Sequence, residues 1–154
     1  MAWWIVPAAI GVWEAAWWRR RVRDRYALYR RAKVHARAVG KPLLIVGAPD
    51  LGSTKGPLSA DDLVIDIRQS GAPNAIRADI TKRIPLPNDS VVVFVSCVLE
   101  YVTDLNAAMR ELRRVARDRI YVCRVQPWTM AGFFYPGRRR CLPRMFLPAH
   151  RMNR

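Results

Sequence analysis

The chain has 154 residues, 51% of them hydrophobic and 25% charged. That composition excludes global disorder and allows one domain with a modest core. The formal net charge of +15 is unevenly placed: residues 1–39 hold nine Lys or Arg against Glu14 and Asp24, residues 40–136 hold twelve against ten acids, and residues 137–154 hold six Arg and no acid. The middle is thus a nearly neutral globular segment between two basic ends, which suit anionic lipid headgroups, nucleic acid or an acidic protein surface.

Residues 2–18 read AWWIVPAAIGVWEAAWW, with Glu14 as the only charge. As a helix they span about 25 Å, slightly short of the roughly 30 Å hydrocarbon core of a bilayer. Trp3 and Trp4 stand at one end and Trp17 and Trp18 at the other, the arrangement of aromatic belts at the two membrane interfaces. No basic stretch precedes the run and no small-residue cleavage site closes it, which points away from a cleaved signal peptide. The expectation is a membrane-anchor helix over residues 1–18, with a single-pass topology. Arg19, Arg20 and Arg21 follow at once, so the remaining chain is expected to face the cytoplasm. An interfacial helix and a helix buried against protein are the alternatives.

Residues 19–39, RRRVRDRYALYRRAKVHARAV, predict a basic helix, favoured as a juxtamembrane helix whose Arg side chains contact phosphates, with a solvated helix that packs one stripe on the domain as the alternative. Val22, Tyr26, Tyr29, Ala32 and Ala36 recur at helical spacing and form a narrow apolar stripe. Gly40 and Pro42 terminate it. His35 has no acid or thiol close in sequence and reads as an incidental surface residue.

Five short runs then predict strands: Leu43–Gly47, Leu63–Ile67, Ala75–Asp79, Val91–Cys97 and Arg119–Val125. Several are continuously apolar, as in strands covered on both faces. Leu105–Arg117 predicts a helix with Leu105, Ala108, Met109, Leu112 and Val115 on one face and Thr103 or Asp104 as N-cap. Residues 48–62 and 68–74 read as loops. Cys97, Cys123 and Cys141 form no CxxC pair, which points away from a disulfide framework or zinc site and toward a reducing compartment. Cys97 and Cys123 lie in apolar runs and read as small buried hydrophobes.

Strands separated by crossovers imply a parallel sheet that binds ligands at its C-terminal strand ends. Asp66 ends the second strand nineteen residues after Gly47 ends the first. At that interval a carboxylate can accept hydrogen bonds from the ribose of a nucleotide lying over the glycine. Asp79 ends the third strand, where it can meet an adenine amino group. Each aspartate alone could be a helix cap or a turn residue; together with Gly47 they favour an adenosine-type site.

Residues 76–115, IRADITKRIPLPNDSVVVFVSCVLEYVTDLNAAMRELRRV, resemble the class I S-adenosylmethionine (SAM)-dependent methyltransferases. In that family an acidic strand end leads to an "LPxPDxS" loop, a hydrophobic strand ending in "VLEHV", and a helix ending in "ElxRV". The corresponding pieces here are Ala78–Asp79, Ile84–Ser90, Val98–Val102 and Glu111–Val115. The resemblance covers about residues 41–126 and extends to small methyltransferase-like proteins of large DNA viruses. It implies a small, mostly parallel Rossmann-like α/β sheet of order 3-2-1-4-5. It also implies SAM as cofactor: Gly47 beside the methionine part, Asp66 on the ribose, Asp79 and Ile80 around the adenine, and Ser96 and Cys97 near the sulfonium.

The pattern departs from the family in places. Its GxGxG loop is Gly47-Ala48-Pro49-Asp50-Leu51, with Gly52 close by, and the acid usual two residues before the first glycine is Ile45. The family also continues with two further strands, where this chain has PWTMAGFFYPGRRRCLPRMF, an aromatic and basic tail over residues 127–154. That tail suits a membrane interface, a substrate lid or a protein contact. Three functions follow as expectations. The first is a membrane-tethered SAM-dependent methyltransferase with its acceptor left open. The second is a non-catalytic relative serving as a membrane or virion assembly component with protein partners. The third, disfavoured by the charge lying beside an apolar helix, is nucleic-acid binding.

Overall fold

The computed structural model describes residues 5–47, 61–68 and 74–123. Trp3 and Trp4, the loop after Gly47, most of the loop after Arg68, the tail over 127–154 and, with it, Cys141 lie outside these.

The first element is a single 34-residue helix, α1 (Ile5–Ala38). The expected apolar and basic helices are therefore one. From Val12 to Val39 the sequence contains neither Gly nor Pro, so nothing interrupts the backbone ladder where side-chain polarity changes at Arg19. Pro7 is tolerated because it falls in the first turn, whose N–H groups have no intrahelical acceptor. Among the described residues, no helix is long and apolar enough to cross a membrane. The expected spanning anchor finds no support in this helix: the run is built largely of Ala and Trp, carries Glu14, and passes directly into Arg19–Arg21 of the same helix.

α1 ends in a Schellman motif. Gly40 adopts φ +65°, Lys41 N–H donates to Ala36 O at 3.0 Å, and Gly40 N–H donates to Arg37 O at 3.3 Å. The chain then enters β1 (Leu43–Val46), followed by β2 (Leu63–Asp66), β3 (Ala75–Arg77), β4 (Val92–Ser96), α2 (Leu105–Val115) and β5 (Ile120–Cys123). The strands form one parallel sheet of order β3-β2-β1-β4-β5, the expected 3-2-1-4-5. The central strands β1 and β4 are buried at every residue, whereas the edge strands β3 and β5 are not.

Side-chain alternation divides the core into two layers. Leu44, Val46, Ile65, Val93 and Val95 face α2, joining Ala108, Met109, Leu112 and Val115. Leu43, Ile45, Val64, Val92 and Phe94 face α1, joining Tyr29, Ala32 and Ala36. This explains why β1 and β4 read as unbroken apolar runs: each face has its own helix. Of the expected α1 stripe, Tyr29, Ala32 and Ala36 are buried, Val22 is half-buried and Tyr26 lies at the exposed margin. His35 is not incidental. It is half-buried and its Nδ1 lies 3.2 Å from the Tyr121 hydroxyl on β5.

α2 begins at Asp104, whose carboxylate accepts from Ala107 N–H at 2.9 Å. This is the N-cap expected from the sequence. Its strongly one-sided face buries Ala108, Met109, Leu112 and Val115.

Candidate functional site

Parallel strands leave their C-terminal ends as the place where loops can hold a ligand. Here those ends of β1, β2 and β3 border a cleft of about 290 Å³. Its size lies near the lower end of the roughly 300–1,000 Å³ usual for small-molecule sites. Gly47, Asp66, Asp79 and Ile80 all line it, as do Thr81, Val98 and Tyr101. Of the six residues that the resemblance places around the cofactor, the sheet thus brings four together.

Gly47 follows β1 with φ +104°, a conformation open to glycine and strained for other residues. A Cβ there would lie 2.5 Å from Val98 Cγ2 and 2.9 Å from the Ser96 carbonyl oxygen. The chain after β4 therefore packs directly on the Gly47 backbone, and no side chain at 47 intrudes on the cleft.

Asp66 is half-buried at the end of β2, and its Oδ1 accepts from Arg68 N–H at 2.8 Å. This turn holds the carboxylate at the strand end rather than letting it swing into solvent. Asp79 is held similarly: its Oδ1 accepts from the Thr81 hydroxyl at 2.7 Å and from Thr81 N–H at 2.9 Å. The Thr81 hydroxyl, then its N–H, keep the Asp79 carboxyl below the ordinary carboxylate range, with Lys82 adding a smaller favourable field. Asp79 is an anion at neutral pH and a ready acceptor. Ile80 is buried and belongs to the α2-side core, where it forms an apolar floor.

Ser96 is placed differently. It is buried at the end of β4, and alternation with Phe94 turns its side chain toward α1. Only its carbonyl meets Gly47, and its side chain is not among those lining the cleft. Cys97 is half-buried, one residue beyond β4.

The segment between β3 and β4 is fastened by two residues whose role the sequence did not reveal. Arg114 on α2 donates to Leu86 O and Ile84 O, each at 2.9 Å, and to Asn88 Oδ1 at 2.7 Å. Glu111 accepts from Ile84 N–H at 2.7 Å and from Arg114 Nε at 2.9 Å. The guanidinium of Arg114 holds the Glu111 carboxyl below its ordinary value of 4.5. The pair thus satisfies the backbone of the Pro-rich loop that leads from Asp79 and Ile80 into β4. Their spacing, one α-helical turn at i and i+3, was the available signal, but an ordinary surface ion pair has the same spacing.

An all-parallel sheet of order 3-2-1-4-5, with Gly47 following β1, Asp66 ending β2 and Asp79 two residues beyond β3, defines a Rossmann-like α/β protein. The family model described as "Methyltransferase domain" matches residues 59–122, which run from just before β2 into β5. No curated protein and no solved structure matches the chain. Over these residues and in its sheet order, the α/β domain is similar to the class I SAM-dependent methyltransferases, a family whose members generally bind SAM.

Proposed function

We propose that the cleft binds SAM and that the chain transfers its methyl group to an acceptor. The observation that carries this reading is the Gly47 cradle standing within one cleft with the carboxylates of Asp66 and Asp79. The residues suit the cofactor in three respects. Backbone at Gly47 admits the methionine part, Asp66 accepts from the ribose hydroxyls, and Asp79 accepts from the adenine amino group above Ile80. Thr81 addresses Oδ1 of Asp79, so we assign the adenine contact to Oδ2. When bound, SAM supplies an electrophilic methyl on a sulfonium, and the chain's own contribution is to hold donor and acceptor in line.

Calorimetric titration of the full chain with SAM tests this reading. Heat with one-to-one stoichiometry, lost on substituting Asp66, supports it. The absence of binding at millimolar SAM would leave a methyltransferase fold without its chemistry and favour the assembly role.

The location proposed for this activity is an anionic membrane surface. Val6, Ile10 and Trp13 are exposed, and with Trp17 they recur at spacings of four and three along one face of α1. Arg20 and Arg21 stack their guanidinium groups 5.9 Å and 5.7 Å from the rings of Trp17 and Trp18. Apolar and indole side chains followed by Arg suit a helix lying in the interface rather than crossing it. The C-terminal half of the same helix is packed on the sheet, so the lipid contact and the domain share one rigid element.

A further inference from the structure

Cys97 and Cys123 lie 26 residues apart in sequence, yet their sulfurs are 3.9 Å apart. The topology brings them together. β4 and β5 are parallel neighbours, Ser96 pairs with Cys123 in register, and Cys97 N–H donates to Cys123 O at 2.9 Å. Regular alternation would turn residue 97 to the sheet face opposite Cys123. Cys97 instead has φ +54°, the left-handed region, and this breaks the alternation at the strand end. Its thiol reaches the α1 side, where Cys123 packs.

Both thiols are free and half-buried. Cys97 is one residue beyond the register partner of Cys123, so the two Cα atoms are offset by about 4.8 Å across the sheet and about 3.3 Å along it, or roughly 6 Å, within the roughly 4.4–6.8 Å that disulfides span. We propose that Cys97 and Cys123 form a peroxide-oxidisable dithiol that closes a reversible intramolecular disulfide between β4 and β5.

The two thiols are unequal. The hydrogen bond between them lowers the Cys97 thiol from its ordinary value and raises that of Cys123. The guanidinium groups of Arg21 and Arg25, on the buried side of α1, favour the anion, whereas Glu100 and burial oppose it. Cys97 is the attacking sulfur and Cys123 the resolving one. The Cys97 thiolate attacks one oxygen of a peroxide, the O–O bond breaks, and the departing hydroxide takes a proton to become water. Cys97 is then a sulfenic acid. Cys123 gives up its proton and its sulfur attacks that of Cys97. The S–O bond breaks and a second water leaves. Two thiols are oxidised by two electrons and the peroxide is reduced to two waters. Thiol reductants reverse the step, so the pair can act in a reducing compartment as a transient switch rather than a permanent staple.

The site also adjoins the cleft. Ser96 and Val98, which flank Cys97, are the two residues that press on Gly47.

The test uses the full chain carrying Cys141→Ser, reduced, desalted and treated with stoichiometric hydrogen peroxide. Intact mass spectrometry should show the loss of two hydrogens, titration should show both thiols gone, and dithiothreitol should restore them. The Cys123→Ala version should instead accumulate oxygen on Cys97. Peptide mapping of the unsubstituted chain, which needs no variant to fold, should recover a Cys97–Cys123 linked pair. Thiols that persist, Cys97 that over-oxidises with Cys123 still present, or Cys97 that pairs with Cys141 would each overturn the proposal.

Discussion

The hydroxyl of Tyr29 donates a 2.6 Å hydrogen bond to Oδ2 of Asp62, 33 residues further along the chain. Lys33, one turn beyond Tyr29, donates to Oδ1 of the same carboxylate at 2.7 Å. The Asp62 side chain is only 2% exposed, and the residue stands immediately before β2. The contact locks the C-terminal half of α1 to the sheet, while the Tyr29 ring packs edge-on against Phe94 at 5.9 Å.

Removal of this carboxylate leaves a hydroxyl and an ammonium facing a buried site. Asp62→Ala is expected to cost about 3 kcal/mol, because breaking a buried pair strands the remaining charge. Asp62→Asn, which keeps an acceptor for Tyr29, should cost less. Urea unfolding measures both. An Asp62→Ala midpoint equal to that of the parent would show that α1 is held by its apolar contacts alone.

Arg114 fastens the loop between β3 and β4 through two backbone carbonyls, and Arg114→Met should therefore destabilise the fold by roughly 2–4 kcal/mol despite preserving much of the aliphatic stem. The expected signature is early hydrogen exchange at Ile84, whose N–H is held by Glu111. Uniform exchange across the sheet, with no selective loss at this loop, would count against the clamp.

The same pair predicts acid sensitivity. Arg114 depresses the native pKa of Glu111, and Thr81 and Lys41 depress those of Asp79 and Asp89. A depressed carboxylate contributes stability that is complete above its unfolded value and is lost as pH falls through the native one. Stability should therefore decline as pH drops from about 5 toward 3. Glu111→Gln should be less stable at neutral pH and lose less on acidification. A parallel pH profile for parent and variant would contradict the assignment.

Gly47→Ala places a Cβ against Val98 and the Ser96 carbonyl at φ +104°. The expected cost is about 2 kcal/mol in stability, with SAM affinity reduced by roughly tenfold or more. Asp66→Ala should leave the sheet intact and weaken SAM by roughly 10–100-fold, the loss of charge-assisted bonds to the ribose. Thermal denaturation with and without SAM separates the two effects. Unchanged SAM affinity in both variants would remove the cofactor reading of the cleft.

The exposed stripe of α1 makes a separate prediction. Trp13→Glu should reduce flotation of the full chain with vesicles containing phosphatidylglycerol by about tenfold, and added salt should weaken the parent's binding. Equal recovery of parent and variant on neutral and anionic vesicles would argue against an interfacial helix.

Much of this was legible in one dimension. All five strands could be read from short apolar runs, because β1 and β4 are covered on both faces and need no polar alternation. Asp104 and Gly40 marked helix ends through local chemistry that depends on few neighbours. Gly47, Asp66 and Asp79 could be associated because a parallel sheet necessarily gathers its strand ends. Periodicity and crossover rules thus determined the strands, their parallel arrangement and the end of the sheet that bears the cleft, while the order 3-2-1-4-5 followed from the family resemblance of residues 76–115.

Other features depended on contacts between distant residues. The change from Trp to Arg at residue 19 looks like a boundary, but a helix backbone is indifferent to it, and α1 runs through. His35 acquires a partner only because α1 crosses β5. Glu111 and Arg114 look like a surface pair until the loop comes within reach of both. Cys97 and Cys123 read as two buried hydrophobes. A left-handed φ at one strand end and the register of β5 make them a pair, and only tertiary structure sets both.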